Sequence, residues 1–139
     1  MTTTDIYALI PQRDPIVMVD RLEKAEGDCA ETVLTIRPDN YFIGADGLLD
    51  ETGIIEHIAQ SASAFAGYRA LEAGASEPPV GYIGEVKKFR CFCNPRVGDT
   101  LRTRITVEAE ADGITLIKGE TWNAGQPVAE TQMKIADNR

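Results

Sequence analysis

The chain has 139 residues, 43% of them hydrophobic and 26% charged, with a formal net charge of -8 at pH 7. This length and composition are typical of one globular domain and exclude a wholly disordered chain. The acidic charge argues against a general nucleic-acid binder, which needs a basic surface to neutralise phosphates. No apolar run is long enough for a membrane span, and the sequence does not begin with a secretory signal pattern. We therefore expect a cytoplasmic protein that binds neither nucleic acid nor membrane.

The predicted elements follow from hydrophobic periodicity and from the turn residues between them. Runs rich in β-branched residues predict strands, and a 3.6-residue apolar period predicts helices. Gly27-Asp28, Asp112-Gly113 and the segment 123–127 supply turns between successive strands. In chain order, the prediction is a short helix at 2–10, strands at 16–26 and 29–37, a loop at 38–50, a helix at 51–73, and strands at 80–93, 99–111, 114–123 and 127–136.

The predicted helix at 51–73 is apolar around most of its circumference, which indicates a helix enclosed by other structure. Near its start it nevertheless carries Glu56 and His57, the only histidine of the chain. One long apolar helix against consecutive antiparallel strands predicts an α+β fold in a single domain over residues 1–139. A single sheet buries such a helix only by curling around it, and a second sheet must close the exposed side. The pattern therefore predicts a strongly bent sheet and a dimer.

The three cysteines, Cys29, Cys91 and Cys93, lack the Cys-x-x-Cys spacing of a zinc site. Two of them lie on one face of a predicted strand, where a disulfide has poor geometry. Free thiols in a reducing compartment are the expected state. No cluster in the sequence suggests a metal ion or a redox cofactor.

Three segments resemble the hot-dog-fold β-hydroxyacyl-(acyl carrier protein) dehydratases. LIPQRDPIVMVDRL resembles the N-terminal segment of this family, although Gln12 stands where the family has histidine. GIIEHIAQSASA resembles the central-helix motif and places Glu56 and Gln60 on its acidic and amide positions. GYIGEVKKFRCFCNPRVGDTL resembles a later strand pair that includes Arg90. The segments occur in the family's order, and the resemblance is nearest to the branch associated with aryl polyene or flexirubin-type pigment synthesis.

The resemblance implies a long helix wrapped by an antiparallel sheet, and dimers that join two sheets edge to edge. In the active enzymes that the chain resembles, a histidine before the helix removes the proton alpha to the thioester carbonyl. An acid near the helix start helps the β-hydroxyl to leave as water, so the two groups need opposite protonation states. Glu56 matches the acid, whereas the histidine position falls at Tyr41 or Phe42. The family's usual base is therefore missing from this sequence.

The missing histidine leaves several hypotheses about activity. The chain is a dehydratase in which Glu56 itself takes the proton with help from Tyr41, or a subunit completed by a histidine-bearing hot-dog partner. It is alternatively a thioesterase that uses the helical carboxylate, or a non-catalytic subunit that holds an acyl chain or acts as a scaffold. A glutamate near a helix start also stabilises the helix dipole without any activity. The isoleucines around Glu56 favour a functional role, because an ionised carboxylate in apolar surroundings is costly without a partner or a purpose.

The candidate residues at the reaction centre fall into two groups. The predicted catalytic group comprises Glu56, Gln60 as an orienting amide one turn along the same helix face, and Tyr41. The predicted substrate contacts are Gly53, which permits a close approach at the helix start, Phe42 and His57. Adjacent helix residues point about 100° apart, so His57 is expected as a supporting or interface residue and not as the base.

The substrate implied by the resemblance is an acyl chain on phosphopantetheine, delivered by acyl carrier protein or by coenzyme A, with no other cofactor. Because the chain is acidic overall, capture of an acidic carrier protein requires a local basic patch. The predicted docking patch consists of Lys87, Lys88, Arg90 and Arg96. The expected assembly is a homodimer or a higher homo-oligomer, or a heteromer with a histidine-bearing hot-dog subunit.

Overall fold

The computed structural model describes residues 5–76 and 81–137. The elements are, in chain order, a 3₁₀ helix (Ile6–Ala8), β1 (Arg21–Glu26), β2 (Cys29–Thr35), α1 (Glu51–Glu72), β3 (Gly81–Cys91), β4 (Thr100–Ala111), β5 (Ile114–Asn123) and β6 (Gln126–Asp137). Within the described ranges, all six strands run antiparallel to their neighbours in one sheet of order β1-β2-β4-β5-β6-β3. None of the helices there combines the length and apolarity that a bilayer crossing requires.

The sheet curls around α1. The helix contacts β1 and β3, which form the two edges of the sheet, and also contacts β2, β4 and β5. Six strands about 4.8 Å apart extend over about 24 Å, whereas a helix with its side chains is about 10–12 Å wide. A flat sheet would therefore hold its two edges away from the helix. The predicted hot-dog fold, an antiparallel sheet wrapped around one central helix, is confirmed.

The hydrophobic core fills the space between α1 and the concave face of the sheet. The helix contributes Ile54, Ile58 and Phe65, each at most 2% exposed. Their partners alternate along the strands, because successive strand residues face opposite sides of a sheet. These fully buried partners include Leu101, Ile105, Ile117 and Met133.

The ends of α1 and the hairpin turns follow the sequence closely. Ala73 caps the helix, and Gly74 takes a φ of +95°, a conformation that glycine adopts without strain. Gly27-Asp28 and Asp112-Gly113 form two-residue turns between paired strands, as predicted. The turn predicted over 123–127 is shorter than expected. Ala124 and Gly125 alone close it, because both have positive φ, and Pro127 already lies in β6 opposite Trp122.

Two predictions near the N-terminus are corrected by the structure. Of the helix predicted at 2–10, residues 2–4 lie outside the described residues. Over the remainder the structure has a 3₁₀ turn at Ile6–Ala8, and its cap is Asp5, whose side chain accepts a hydrogen bond from Tyr7 N. The strand predicted at 16–26 begins only at Arg21, because the backbone at Ile16 and Met18 is hydrogen-bonded to side chains of α1.

The backbone of α1 comes close to the N-terminal segment at Gly67. A Cβ atom at this position would overlap the carbonyl oxygen of Leu9, and both residues are buried. The helix therefore needs glycine here although glycine lowers helix propensity by about 1 kcal/mol relative to alanine.

Replacing Gly67 by alanine is expected to destabilise the protein by about 1–3 kcal/mol, because the Cβ would displace the backbone at Leu9. Urea unfolding measures the change. The matched control is Gly84→Ala on β3, where a Cβ would lie 3.5 Å from Lys134 O in ordinary contact. Equal stability of the Gly67 variant and the wild type would contradict this account of the packing.

Candidate active site

Glu56 and Gln60 lie one turn apart on the same face of α1, and their side chains are hydrogen-bonded. Gln60 Nε2 donates to Glu56 Oε2 over 2.8 Å and also donates to the carbonyl of Ile16 over 2.8 Å. Gln60 Oε1 accepts from Met18 N at 2.6 Å. The amide is fully buried, so these three bonds fix its orientation. Gln60 therefore directs a fixed donor at one oxygen of the Glu56 carboxylate, and its predicted catalytic role stays a prediction.

Glu56 lies at the wall of a cavity of about 580 Å³ between α1 and the concave face of the sheet. On the helix side, Ala59, Ala62 and Ala66 continue the wall beyond the carboxylate. Across from them the wall comes from the β-strands and from Gln12. Glu56 is half-buried, and no ion pair to it occurs among residues 5–76 and 81–137. Its carboxylate is thus positioned beside a space large enough for a ligand and is not neutralised by a described cation.

His57 points away from this cavity and lies in the core with 0% exposure. Its Nδ1 is 2.6 Å from the carbonyl oxygen of Met18, and its Nε2 is 2.7 Å from the Thr103 hydroxyl. Because a carbonyl only accepts, Nδ1 carries the hydrogen and Nε2 accepts from Thr103. The Thr103 oxygen in turn accepts from Thr121 at 2.6 Å. The prediction of His57 as a substrate contact is therefore not supported by its placement, since both ring nitrogens are already used.

Burial lowers the pKa of His57 from its ordinary value of 6.5 to about 4, partly opposed by the bond to Met18 and by the charge of Asp20. The ring is therefore neutral near pH 7, which agrees with the hydrogen-bond directions above. Its role in this structure is to satisfy the backbone of Met18 and the hydroxyl of Thr103.

Tyr41, Phe42 and Gly53 lie together on the loop side of the helix start. Tyr41 is 62% exposed and, with Phe42, lines a second cavity of about 640 Å³ formed by loop residues. Phe42 packs directly against Gly53, where a Cβ would come within 2.5 Å of Phe42 Cβ. The close approach predicted at Gly53 is thus made by the Phe42 side chain. Within the single chain, neither Tyr41 nor Phe42 lines the cavity of Glu56.

The predicted docking residues lie on β3 and the loop after it. Lys88 is exposed at an irregularity of the strand with a φ of +52°, and Lys87 beside it is half-buried. Arg90 pairs with Glu130 at 3.5 Å and stacks on Phe92, while Arg96 is exposed in the loop. The structure places three of these cations on one edge strand, and their role in docking stays a prediction.

Gln12 also lines the cavity of Glu56, although the sequence assigned it no role. The resemblance marked it only as a departure from the family's histidine. Its side-chain oxygen is buried without a hydrogen-bond partner, which no sequence pattern could indicate.

The described residues contain no group of histidine, cysteine and carboxylate side chains arranged to hold a metal ion, and their three cysteines are free.

The fold and this site define a hot-dog-fold protein with a carboxylate on its central helix. A family model described as ApeP dehydratase, of the ApeP-like group, matches residues 4–139, and the chain belongs to this family. The 3-hydroxyacyl-[acyl-carrier-protein] dehydratase FabZ of Oenococcus oeni is 33% identical over 120 residues, which cover 82% of this chain and 83% of the relative. FabZ of Syntrophotalea carbinolica is 28% identical over 135 residues, which cover 94% of this chain and 90% of the relative.

Among solved structures, the dehydratase heterocomplex ApeI:P from Xenorhabdus doucetiae matches with a TM-score of 0.91 at 16% identity, covering 98% of this chain and 92% of that one. A hypothetical thioesterase with coenzyme A from Streptococcus pneumoniae matches with a TM-score of 0.67 at 9% identity, covering 84% of this chain and 86% of that one. These two likenesses show the fold. The predicted membership of the hot-dog dehydratases, in the ApeP-like branch, is confirmed.

The buried His57 makes a testable contribution to the pH dependence of stability. In the unfolded chain it binds a proton below about pH 6.5, whereas in the folded protein it does so only below about pH 4. The contribution of His57 to the free energy of unfolding is therefore fully present above pH 6.5. It decreases by about 3 kcal/mol as the pH falls from 6.5 to 4. Urea unfolding between pH 7.5 and 4.5 measures the decrease.

The variant His57→Gln is the comparison, because glutamine keeps a donor and an acceptor but does not titrate. The carboxylates titrate alike in both proteins, so the difference between the two pH profiles isolates the histidine. If the free energy of unfolding had the same slope against pH in the variant and the wild type, His57 would not be the source of the pH dependence.

Proposed function

We propose that this chain supplies the acid for dehydration of a 3-hydroxyacyl thioester. The observation that carries the proposal is the Glu56 carboxylate, oriented by Gln60 at the wall of a 580 Å³ cavity without a described cation to neutralise it. In its protonated form Glu56 donates a proton to the 3-hydroxyl, which leaves as water while the C2–C3 double bond forms. Membership of the ApeP-like dehydratase family supports this chemistry over others that the fold can house.

The elimination also needs a base for the proton at C2, and we propose that another subunit provides it. The chain has one histidine, and that residue is buried with both nitrogens hydrogen-bonded. Glu56 cannot act as the proton donor to the hydroxyl and as the free base in the same step, because the two roles need opposite protonation states. The likeness to a structure named as a dehydratase heterocomplex supports a histidine-bearing hot-dog subunit as the partner.

The edge strand β3 is the surface proposed for this partner. It pairs with β6 on one side only, and it exposes Tyr82, Ile83 and Val86. An unpaired edge that carries apolar side chains is a template for pairing with another strand. Tyr82 and Ile83 also form part of the wall of the Glu56 cavity. A subunit joined at β3 would thus lie beside the cavity, where its side chains could complete the reaction centre.

The acyl chain is proposed to arrive on phosphopantetheine, from acyl carrier protein or from coenzyme A. The FabZ relatives are named for acyl-carrier-protein substrates, which supports the carrier protein. Lys88 and Arg96 are exposed cations in an acidic protein, and they are the proposed short-range contacts for the phosphate or for the acidic carrier. Arg90, already paired with Glu130, contributes less free charge.

The first test combines subunits and follows two products. A 3-hydroxyoctanoyl-pantetheine thioester is incubated with this chain alone, with a histidine-bearing hot-dog subunit alone, and with both. Mass spectrometry measures loss of water, and a thiol reagent measures release of pantetheine. Dehydration in the mixture alone is the expected result. Glu56→Gln is expected to lower its rate by about 10²–10⁴-fold, because the amide cannot donate an acidic proton.

The matched control is Glu51→Gln, which alters an exposed carboxylate in the first turn of the same helix and should leave the rate unchanged. Dehydration by this chain alone would instead favour the self-sufficient enzyme, with Tyr41 of a second copy in reach. Release of thiol would favour the thioesterase hypothesis. Full activity of the Glu56 variant in the mixture would refute the proposed acid.

The second test concerns the edge strand. Val86→Lys introduces a charge on exposed β3, and it is expected to dissociate the oligomer, since a buried unpaired charge at a strand junction is unfavourable. Sedimentation velocity measures the assembly state. Ile114→Lys is the control, because Ile114 is a similarly exposed apolar residue at the β4–β5 turn. An unchanged assembly in the Val86 variant would place the interface elsewhere.

A further inference from the structure

Gln12 combines a fixed backbone with an unpaired side chain. The guanidinium of Arg13 donates to the carbonyl of Gln12 at 2.7 Å, to that of Ile10 at 2.8 Å and to that of Tyr7 at 3.0 Å. These bonds hold the backbone at residue 12 in place. The side-chain oxygen Oε1 is nevertheless buried with no partner, and it is the only such side-chain atom among the described residues.

An unpartnered buried acceptor is costly, because it has lost its bonds to water and gained none in return. Gln12 also lines the cavity that contains Glu56. The segment that follows Gln12 is tied to the same site, since the carbonyl of Ile16 and the carboxylate of Glu56 both accept from the amide of Gln60. The terminal amide torsion of glutamine has a broad energy profile, so the oxygen turns readily towards a donor in the cavity.

The proposed substrate carries such a donor at the reacting carbon. Its 3-hydroxyl accepts the proton of Glu56 through a lone pair and has its own hydrogen left to donate. We infer that Gln12 binds the substrate by accepting a hydrogen bond from the 3-hydroxyl, and that it thereby selects 3-hydroxyacyl chains over saturated and 3-oxoacyl chains. This inference rests on the proposed function of Glu56.

The selectivity follows from the chemistry of the groups that would meet the amide oxygen. A saturated chain has no donor at C3, so the acceptor stays unpaired. A 3-oxo group also lacks a donor at C3, so Oε1 gains no partner from it. The enoyl product has also lost the hydroxyl, which left as water, so Gln12 retains the substrate more strongly than the product.

Three non-reactive ligands test the inference. They are pantetheine amides of 3-hydroxyoctanoic, octanoic and 3-oxooctanoic acid, in which an amide replaces the thioester. Isothermal titration measures their affinity for the protein alone and for its complex with the histidine-bearing subunit. The wild type is expected to bind the 3-hydroxy amide about tenfold more tightly than the octanoyl amide. This ratio of affinities corresponds to the net free energy of one hydrogen bond.

The variant Gln12→Met keeps the shape of the side chain without the acceptor, and it is expected to bind the 3-hydroxy and octanoyl amides equally. Its stability should not fall, because Oε1 has no protein partner to lose. Gln12→His restores an acceptor nitrogen and should recover a preference for the hydroxyl. Gln126→Met, an exposed residue at the start of β6, is the control and should match the wild type.

A tenfold preference that persists in Gln12→Met would overturn the inference while leaving the proposed dehydration intact, provided that the complex still dehydrates the thioester. If none of the three amides binds and no combination of subunits dehydrates the thioester, the proposed function fails and the inference fails with it. A wild type that binds the octanoyl and 3-hydroxy amides equally would also overturn the role of Gln12.

Discussion

The side chain of Gln60 joins the fold of this protein to its site. The segment before β1 passes over α1, and its backbone groups at Ile16 and Met18 find their hydrogen-bond partners on the helix. Gln60 supplies two of these partners, because its Oε1 accepts from Met18 N and its Nε2 donates to the carbonyl of Ile16. The second hydrogen of Nε2 is donated to Glu56. The position of the carboxylate therefore depends on how the N-terminal segment lies against the helix. A change in that packing would move the reacting group as well.

The same constraint explains why an enclosed apolar helix carries histidine and serine. His57 satisfies the carbonyl of Met18 and receives the Thr103 hydroxyl. Ser61, one turn further along, is bonded to the carbonyl of His57 and to the hydroxyl of Thr32. Each polar side chain of this network thus has a partner, which makes the network compatible with the core. The helix uses one face for this structural network and the neighbouring face for Glu56.

The single chain holds half of the proposed reaction centre. It presents an oriented acid in a cavity and lacks a histidine that could face it, while the edge strand beside that cavity remains unpaired. These features are mutually consistent, because a site that is completed by another subunit requires both an open edge and a missing group. The acidic charge of the chain adds a further condition. The proposed acidic carrier would have to be captured through local cations against long-range repulsion.

The amino-acid sequence determined the fold and the position of Glu56 near the start of the central helix. Hydrophobic periodicity and turn residues are local properties of the chain. They predict the bounds of α1, of five of the six strands and of the turns between paired strands. Local pattern failed at 16–18, where the apolar residues indicate a strand but the backbone at Ile16 and Met18 bonds to the helix, because strand formation depends on neighbours that are distant in sequence. The direction of His57 into the core and the unpaired oxygen of Gln12 were decided only by the tertiary structure. Hydrogen bonding and burial depend on which atoms are brought together, and Met18, His57 and Thr103 meet only after the sheet has closed around the helix.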